Sequence, residues 1–186
     1  MNKDQTLAAL ASAQRLHDDV AVDKALDRMA GEITRDLAES LPVVLCVMIG
    51  GLIPTGRLLP KLGFPLEVDY LHATRYRGGT RGGELVWLAR PRTSLQGREV
   101  LIVDDILDEG HTLRGIIDEC RAGGAARIRV AALVQKRHDR CHPEVVADYV
   151  GLEVDDRYVF GAGMDYHDML RNAPGIYAVS EVGEAR

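Results

Sequence analysis

The stretch Val100 to Leu113, VLIVDDILDEGHTL, restricts what this chain can fold into more than any other. Val100 to Val103 read as a buried strand; two adjacent carboxylates follow, Asp104 and Asp105, then two apolar residues and the run Asp108-Glu109-Gly110-His111-Thr112. Beyond it Leu113, Ile116, Ile117 and Cys120 fall at helical spacing, so the polar run is predicted to be a turn between a strand and a helix N-terminus. Free backbone N–H groups and the positive end of a helix dipole converge at such a turn and attract anions; Gly110 permits a tight backbone and Thr112 offers a hydroxyl donor. Carboxylates next to a phosphate would repel it unless Mg²⁺ or ligand hydroxyls come between. The stretch therefore points to a metal-bound, hydroxylated phosphate ester.

At 186 residues and 46% hydrophobic content the chain suits one domain with a real core. No apolar run approaches the roughly 20 residues of a membrane helix, and the N-terminus, MNKDQTLAAL, lacks a basic region followed by an apolar signal core. A cytoplasmic location without membrane partners is the expectation. Cys46, Cys120 and Cys141 are odd in number and widely spaced, which favours reduced structural thiols over disulfides or a zinc site. A net charge of −5 argues against a nucleic-acid partner held by a general basic surface.

Along the chain, residues 5–16 are Ala/Leu-rich and read as helix, and Val22, Leu26, Met29, Ala30, Ile33, Leu37 and Leu41 form an apolar stripe on a second helix ended by Pro42. Residues 43–49, VVLCVMI, form a continuous apolar run suited to a strand covered on both faces. It stops at Gly50-Gly51, and a short helix fits Pro54 to Leu62, making a second candidate anion loop. Pro65 to Thr74 reads as a strand, and Leu85 to Ala89 as its returning partner. Between them residues 75–84, RYRGGTRGGE, hold little that could pack; their arginines suggest a lid over an anion. Arg127 to Lys136 is another buried strand, and Ala147–Val154, Arg157–Phe160 and Ile176–Val179 are strand-like. Alternating strand and helix signals over 43–136 predict an α/β fold, a mostly parallel sheet with helices on both faces. Function then belongs at the carboxyl ends of its strands, which would gather Gly50-Gly51, Asp104 to Thr112 and Lys136 on one rim.

A hydrophobic strand followed by Asp-Asp also opens phosphoacceptor receiver domains, but there the pair lies near the start of the domain and a later strand ends in an acceptor Asp, which Arg127 to Gln135 lacks. A Walker-type loop needs Lys and Ser or Thr after its glycines, and Gly50 to Gly56 has no such partner. VLIVDDILDEGHTL instead resembles, over its full length, the diphosphate-sugar signature of type I phosphoribosyltransferases. The segment Lys136, then Arg157-Tyr158-Val159-Phe160-Gly161, Met164-Asp165-Tyr166 and Arg171-Asn172, is similar to the purine-binding half of the hypoxanthine-guanine members.

The resemblance implies a division of roles. Asp104 and Asp105 would hold the ribose hydroxyls, directly or through Mg²⁺, with Asp165 helping to place a second ion. Glu109, Gly110, His111 and Thr112 would bind the 5′-phosphate; Gly50, Gly51, Arg171 and Arg75 would meet the diphosphate. Asp108 would be the catalytic base for the purine N7 proton. Lys136 would donate to the exocyclic O6, Tyr158 would stack on the base, and main-chain groups of Val159 would read its edge. The family fold implies a single domain over 1–186: an N-terminal helical part (1–42), a core (43–140) and a base-binding hood segment (141–186), the small hood being built from the terminal segments. Small-molecule substrates and a homodimer or homotetramer are likewise implied, with purine salvage from phosphoribosyl diphosphate as the activity. The alternative is a non-catalytic nucleotide- or RNA-binding regulator of the same fold; intact Asp108 and Lys136 and the net acidity favour the enzyme.

Three positions depart from the family pattern. Ile49 stands where many members have Lys, Thr74-Arg75-Tyr76 replaces a Ser-Tyr loop start, and Asp104 replaces the commoner Glu. Arg75 is expected to supply the cation that Ile49 lacks. His17, His72, His138, His142 and His167 show no ligand spacing and read as non-catalytic.

Overall fold

A computed structural model describes residues 1–75 and 85–180, with the side chain of Arg75 outside that set. The arginine-rich segment and the role expected of Arg75 therefore lie outside the described residues. The elements in order are α1 (Lys3–Ser12), β1 (Gln14–His17), α2 (Asp19–Leu37), β2 (Val43–Val47), α3 (Leu52–Leu58) with a 3-10 turn over Leu59–Lys61, β3 (Glu67–Arg75), β4 (Leu85–Ala89), β5 (Glu99–Leu107), α4 (His111–Ala122), β6 (Arg127–Arg137), β7 (Tyr149–Asp155), β8 (Val159–Phe160) and β9 (Ile176–Ala178).

Six strands form the main sheet in the order β4-β3-β2-β5-β6-β7. All its neighbours are parallel except β3 and β4, which are antiparallel. Alternation of side chains along each strand divides the core. Leu101 and Val103 of β5 pack with Leu26, Met29, Ile33 and Leu58 under α2 and α3, whereas Val100 and Ile102 pack with Leu113, Ile116 and Cys120 of α4 on the other face. Both faces are covered, which explains why β2 and β5 read as unbroken apolar runs. Each fully buried Leu or Ile contributes about 1.5–3 kcal/mol.

Local chemistry sets the helix ends. Asn2 opens α1 with a capping box closed by Gln5, and the Asp18 carboxylate accepts from the Ala21 N–H at the start of α2. Pairs from Arg57 to Asp19 (2.6 Å) and from Lys61 to Asp27 (2.6 Å) tie α3 and the following turn to α2.

The structure corrects three local expectations. Residues 14–16 are not the end of a helix: α1 stops at Ser12 and β1 pairs antiparallel with β9, which supplies the backbone partners. The apolar stripe of α2 ends at Leu37, and Leu41 is 59% exposed with φ +49°, because the residue before Pro42 is disfavoured in helical conformation. Only Val159–Phe160 of the 157–160 run is strand.

A second, three-stranded sheet in the order β1-β9-β8 draws on both ends of the chain. It forms the small hood, with Phe160 stacked on Tyr177 at 5.5 Å between ring centroids.

Candidate active site

The strand that follows β2 in sequence, β3, lies on one side of it, while β5 lies on the other. Adjacent strands whose connections depart in opposite directions leave a crevice at their carboxyl ends. An open cleft of about 1170 Å³ occupies this place, and Gly50, Asp104, Asp105, Asp108, Thr112, Asp165 and Arg171 all line it.

Asp104 and Asp105 belong to β5 itself rather than to the turn after it, and each is only 8% exposed. The Asp105 N–H donates to Asp104 Oδ1 at 2.9 Å, and the Ile106 N–H to Asp105 Oδ1 at 3.0 Å. Burial, reinforced by repulsion from Asp105, pushes the Asp104 carboxyl well up; burial also raises Asp105, against the pull of its hydrogen bonds and of Arg171. Backbone glycines press on the pair. A Cβ at Gly50 would lie 2.1 Å from Asp105 Oδ2, and one at Gly51 would lie 2.6 Å from the carbonyls of Val47 and Val103. On the hood side Gly163, at φ +114°, would bring a Cβ within 2.3 Å of the Gly50 carbonyl, so this close approach needs glycine at 163. Sequence reasoning passed over Gly163; the Gly161-Ala162-Gly163 run was its signal.

The turn between β5 and α4 has the expected geometry. Gly110 adopts φ +75° as the N-cap residue of α4 and no side chain caps that helix, in contrast to α1 and α2. The first-turn N–H groups of α4 thus have no intrahelical acceptor and face the cleft lined by Glu109 to Thr112. The His111 ring is 44% exposed beside Glu109, and its backbone N–H belongs to the first turn of α4.

Asp108, the first residue after β5, faces the end of β6. Lys136 Nζ lies 2.6 Å from its Oδ2, and His138 Nε2 lies 2.7 Å from its Oδ1. Burial raises the Asp108 carboxyl, but these two donors outweigh it and hold the group below the usual carboxylate range. Asp108, His138 and Asp156 bring ligand-type atoms within 4.8 Å of one another. Lys136, 3.8 Å from Asp156, and Arg140, 2.8 Å from it, already supply the positive charge there, so this group is read as an ion-pair cluster rather than a metal centre. His138 is the residue that sequence reasoning set aside and the structure brings to the site. Its signal is period two: residues 136 and 138 point to one side of the extended chain, while Arg137 points away to Asp155.

Arg171 donates to the Gly163 carbonyl at 2.9 Å and pairs with Asp165 at 2.8 Å. Tyr158 is half-exposed and edge-on to Tyr166, and Val159 is buried in the hood sheet opposite Ala178. Ile49, 48% exposed, lines the cleft without a charge, and Arg171 is the one Lys or Arg among the described residues that line it.

Residues 12–168 match the model of the phosphoribosyl transferase domain. The chain belongs to the phosphoribosyltransferase family. Among curated relatives of this phosphoribosyltransferase, a hypoxanthine-guanine-xanthine phosphoribosyltransferase from Tritrichomonas foetus is 32% identical over 89% of this chain and 91% of its own. A hypoxanthine-guanine phosphoribosyltransferase from Bacillus subtilis is 31% identical over 83% of this chain and 86% of its own. The crystal structure of a Staphylococcus aureus hypoxanthine phosphoribosyltransferase superposes with a TM-score of 0.89 at 23% identity, each chain fully covered, which supports the fold. A solved hypoxanthine-guanine-xanthine phosphoribosyltransferase superposes at 0.82 with 30% identity, covering 90% of this chain and 97% of the other.

The acidic pair of this phosphoribosyltransferase suits a divalent cation. Two adjacent buried carboxylates with raised proton affinity form no ion pair with Lys or Arg among the described residues, and hard cations take carboxylate oxygens.

Proposed function

We infer that this phosphoribosyltransferase is a purine-salvage enzyme that joins hypoxanthine or guanine to phosphoribosyl diphosphate, forming IMP or GMP and releasing pyrophosphate. The observation that carries the reading is the Lys136–Asp108 pair, whose Asp108 lines the cleft together with the carboxylate pair and the start of an uncapped helix. A donor-only Lys recognises a 6-oxo group and leaves an exocyclic amine unpaired, so adenine is disfavoured. Its curated relatives are named for the same bases.

In this reading the first-turn amides of α4 and the Thr112 hydroxyl hold the 5′-phosphate. Asp104 and Asp105 hold the ribose hydroxyls and, with Asp165, would carry Mg²⁺, which supplies charge neutralisation for the diphosphate. Gly50, Gly51 and Arg171 meet the diphosphate through amides and guanidinium. Tyr158 covers the base, whose edge meets the Val159 main chain. Asp108 takes the N7 proton as the purine N9 bonds to ribose C1′ and the C1′–O bond to pyrophosphate breaks. The buried carboxylates favour the positive charge that develops on the ribose ring. Arg75 is assigned to the diphosphate as replacement for the missing loop Lys; Arg75→Ala should raise the donor KM, and an unchanged KM removes that role.

The test is direct: mix protein, Mg²⁺, donor and each purine and follow pyrophosphate release. Turnover with hypoxanthine or guanine and none with adenine is expected; no turnover with any 6-oxopurine overturns the reading. The enzyme is taken to act as a single domain in the cytoplasm, where its three unpaired cysteines suit a reducing medium. A homodimer or homotetramer would cover the exposed apolar residues of the β3–β4 edge, including Val68, Tyr70 and Leu88, and a one-chain mass at sedimentation equilibrium would exclude it.

A further inference from the structure

We propose that His138 is a positioning residue for Asp108, keeping that carboxylate aimed at the base when Lys136 leaves it for the purine. The inference rests on the reading of Asp108 as the proton acceptor and adds a residue to it.

The geometry assigns one donor to each carboxylate oxygen: Lys136 Nζ to Oδ2 at 2.6 Å and His138 Nε2 to Oδ1 at 2.7 Å. The other nitrogen of the imidazole fixes the tautomer. His138 Nδ1 accepts the Arg140 N–H at 3.1 Å, so in the neutral ring the proton sits on Nε2 and is donated to Asp108. The side chain is 4% exposed, so water does not compete for this contact. Its base, the turn that begins where β6 ends, is held by the Arg140–Asp156 pair at 2.8 Å.

Lys136 cannot serve both partners equally. When its ammonium turns to a purine 6-oxo group, Oδ2 of Asp108 loses its short charged hydrogen bond. That oxygen then has greater proton affinity and a free lone pair, as an acceptor for N7–H requires. Without a second anchor the freed carboxylate would rotate about its side-chain torsions. His138, bound to the opposite oxygen and tied to the backbone, restricts that rotation, so base binding activates Asp108 without releasing it. His138 positions the carboxylate and takes no part in the proton transfer.

The test compares the wild-type enzyme with His138→Phe, which keeps a ring but removes the donor, and His138→Gln, whose amide nitrogen can reach the position of Nε2. His138→Phe is expected to lower kcat about 10- to 100-fold, the scale of a misaimed catalytic group, with the KM for the diphosphate donor within about 2-fold. His138→Gln should recover most of the lost kcat. Unchanged kcat in His138→Phe, a loss confined to KM, or a folded His138→Gln no better than His138→Phe overturns the proposal. Should His138→Phe fail to fold, ¹⁵N-histidine NMR of the wild-type protein decides: the Nε2–H tautomer supports the contact and Nδ1–H refutes it. Absence of turnover in the wild type would count against the purine reading itself, whereas the tautomer result stands apart from activity.

Discussion

Asp104 and Asp108 sit four residues apart and are tuned in opposite directions. Asp108 is stabilised as a carboxylate by Lys136 and His138. Replacing it with Asn removes the proposed proton acceptor while keeping shape, so kcat should fall about 10²- to 10⁴-fold, the usual worth of a general base. Steady-state rates with hypoxanthine read this directly, and a full rate in Asp108→Asn would remove the role. Asp104 is instead raised by burial and by its neighbour. A raised acid binds its proton more tightly in the folded state, so stability falls as pH climbs from the unfolded value of about 3.9 through the folded one. Asp104→Asn should therefore raise apo-protein stability at pH 7 by about 1–2 kcal/mol while abolishing turnover. The gain should shrink as pH is lowered toward 4; thermal melts at the two pH values check the sign. The acidic pair was legible because two adjacent carboxylates interrupt an apolar run, whereas the role of Asp108 came from the resemblance to the family signature. His138 was not legible, since its period-two relation to Lys136 gains meaning only once β6 is seen to run on to Arg137 and the side chain to reach Asp108.

The elements were legible where one period dominated. Unbroken apolar runs marked β2, β5 and β6, and the stripe from Val22 to Leu37 marked α2. Periodicity failed at β1, whose four residues, Gln14 to His17, have no buried side chain and become a strand only through pairing with β9, more than 150 residues away in sequence. The loop between β2 and α3 offers a test at this scale. At Gly51 a Cβ would meet backbone carbonyls, which cannot move, so Gly51→Ala should cost about 1–3 kcal/mol in denaturant unfolding. At Gly50 it would meet the end of the Asp105 side chain, which can swing away. Gly50→Ala should thus melt near the wild-type temperature and lose at least about 10-fold in kcat/KM. Equal effects of the two substitutions on both measurements would show that the loop has no such division.

Across the whole molecule, the cost of gathering carboxylates in one crevice is offset only when cations and substrate arrive. Ligands that bind the folded chain alone raise its stability with concentration, by about 2.7 kcal/mol at 100 times Kd. Mg²⁺ with phosphoribosyl diphosphate should accordingly raise the melting temperature, EDTA should reverse the rise, and Asp104→Asn should weaken it. A melting temperature indifferent to the pair would argue that the crevice does not bind them. The hood carries a different consequence. Its middle strand, β9 (Ile176–Ala178), follows all six strands of the main sheet in the sequence, while one flanking strand, β1, precedes them. On the ribosome, where folding proceeds from the N-terminal side as the chain emerges, the six-stranded sheet can close first, with β1 still waiting for its mate. In the proposed reading the hood over the purine is then completed after that sheet, so a nascent chain would have a place for the sugar phosphate before it had one for the base.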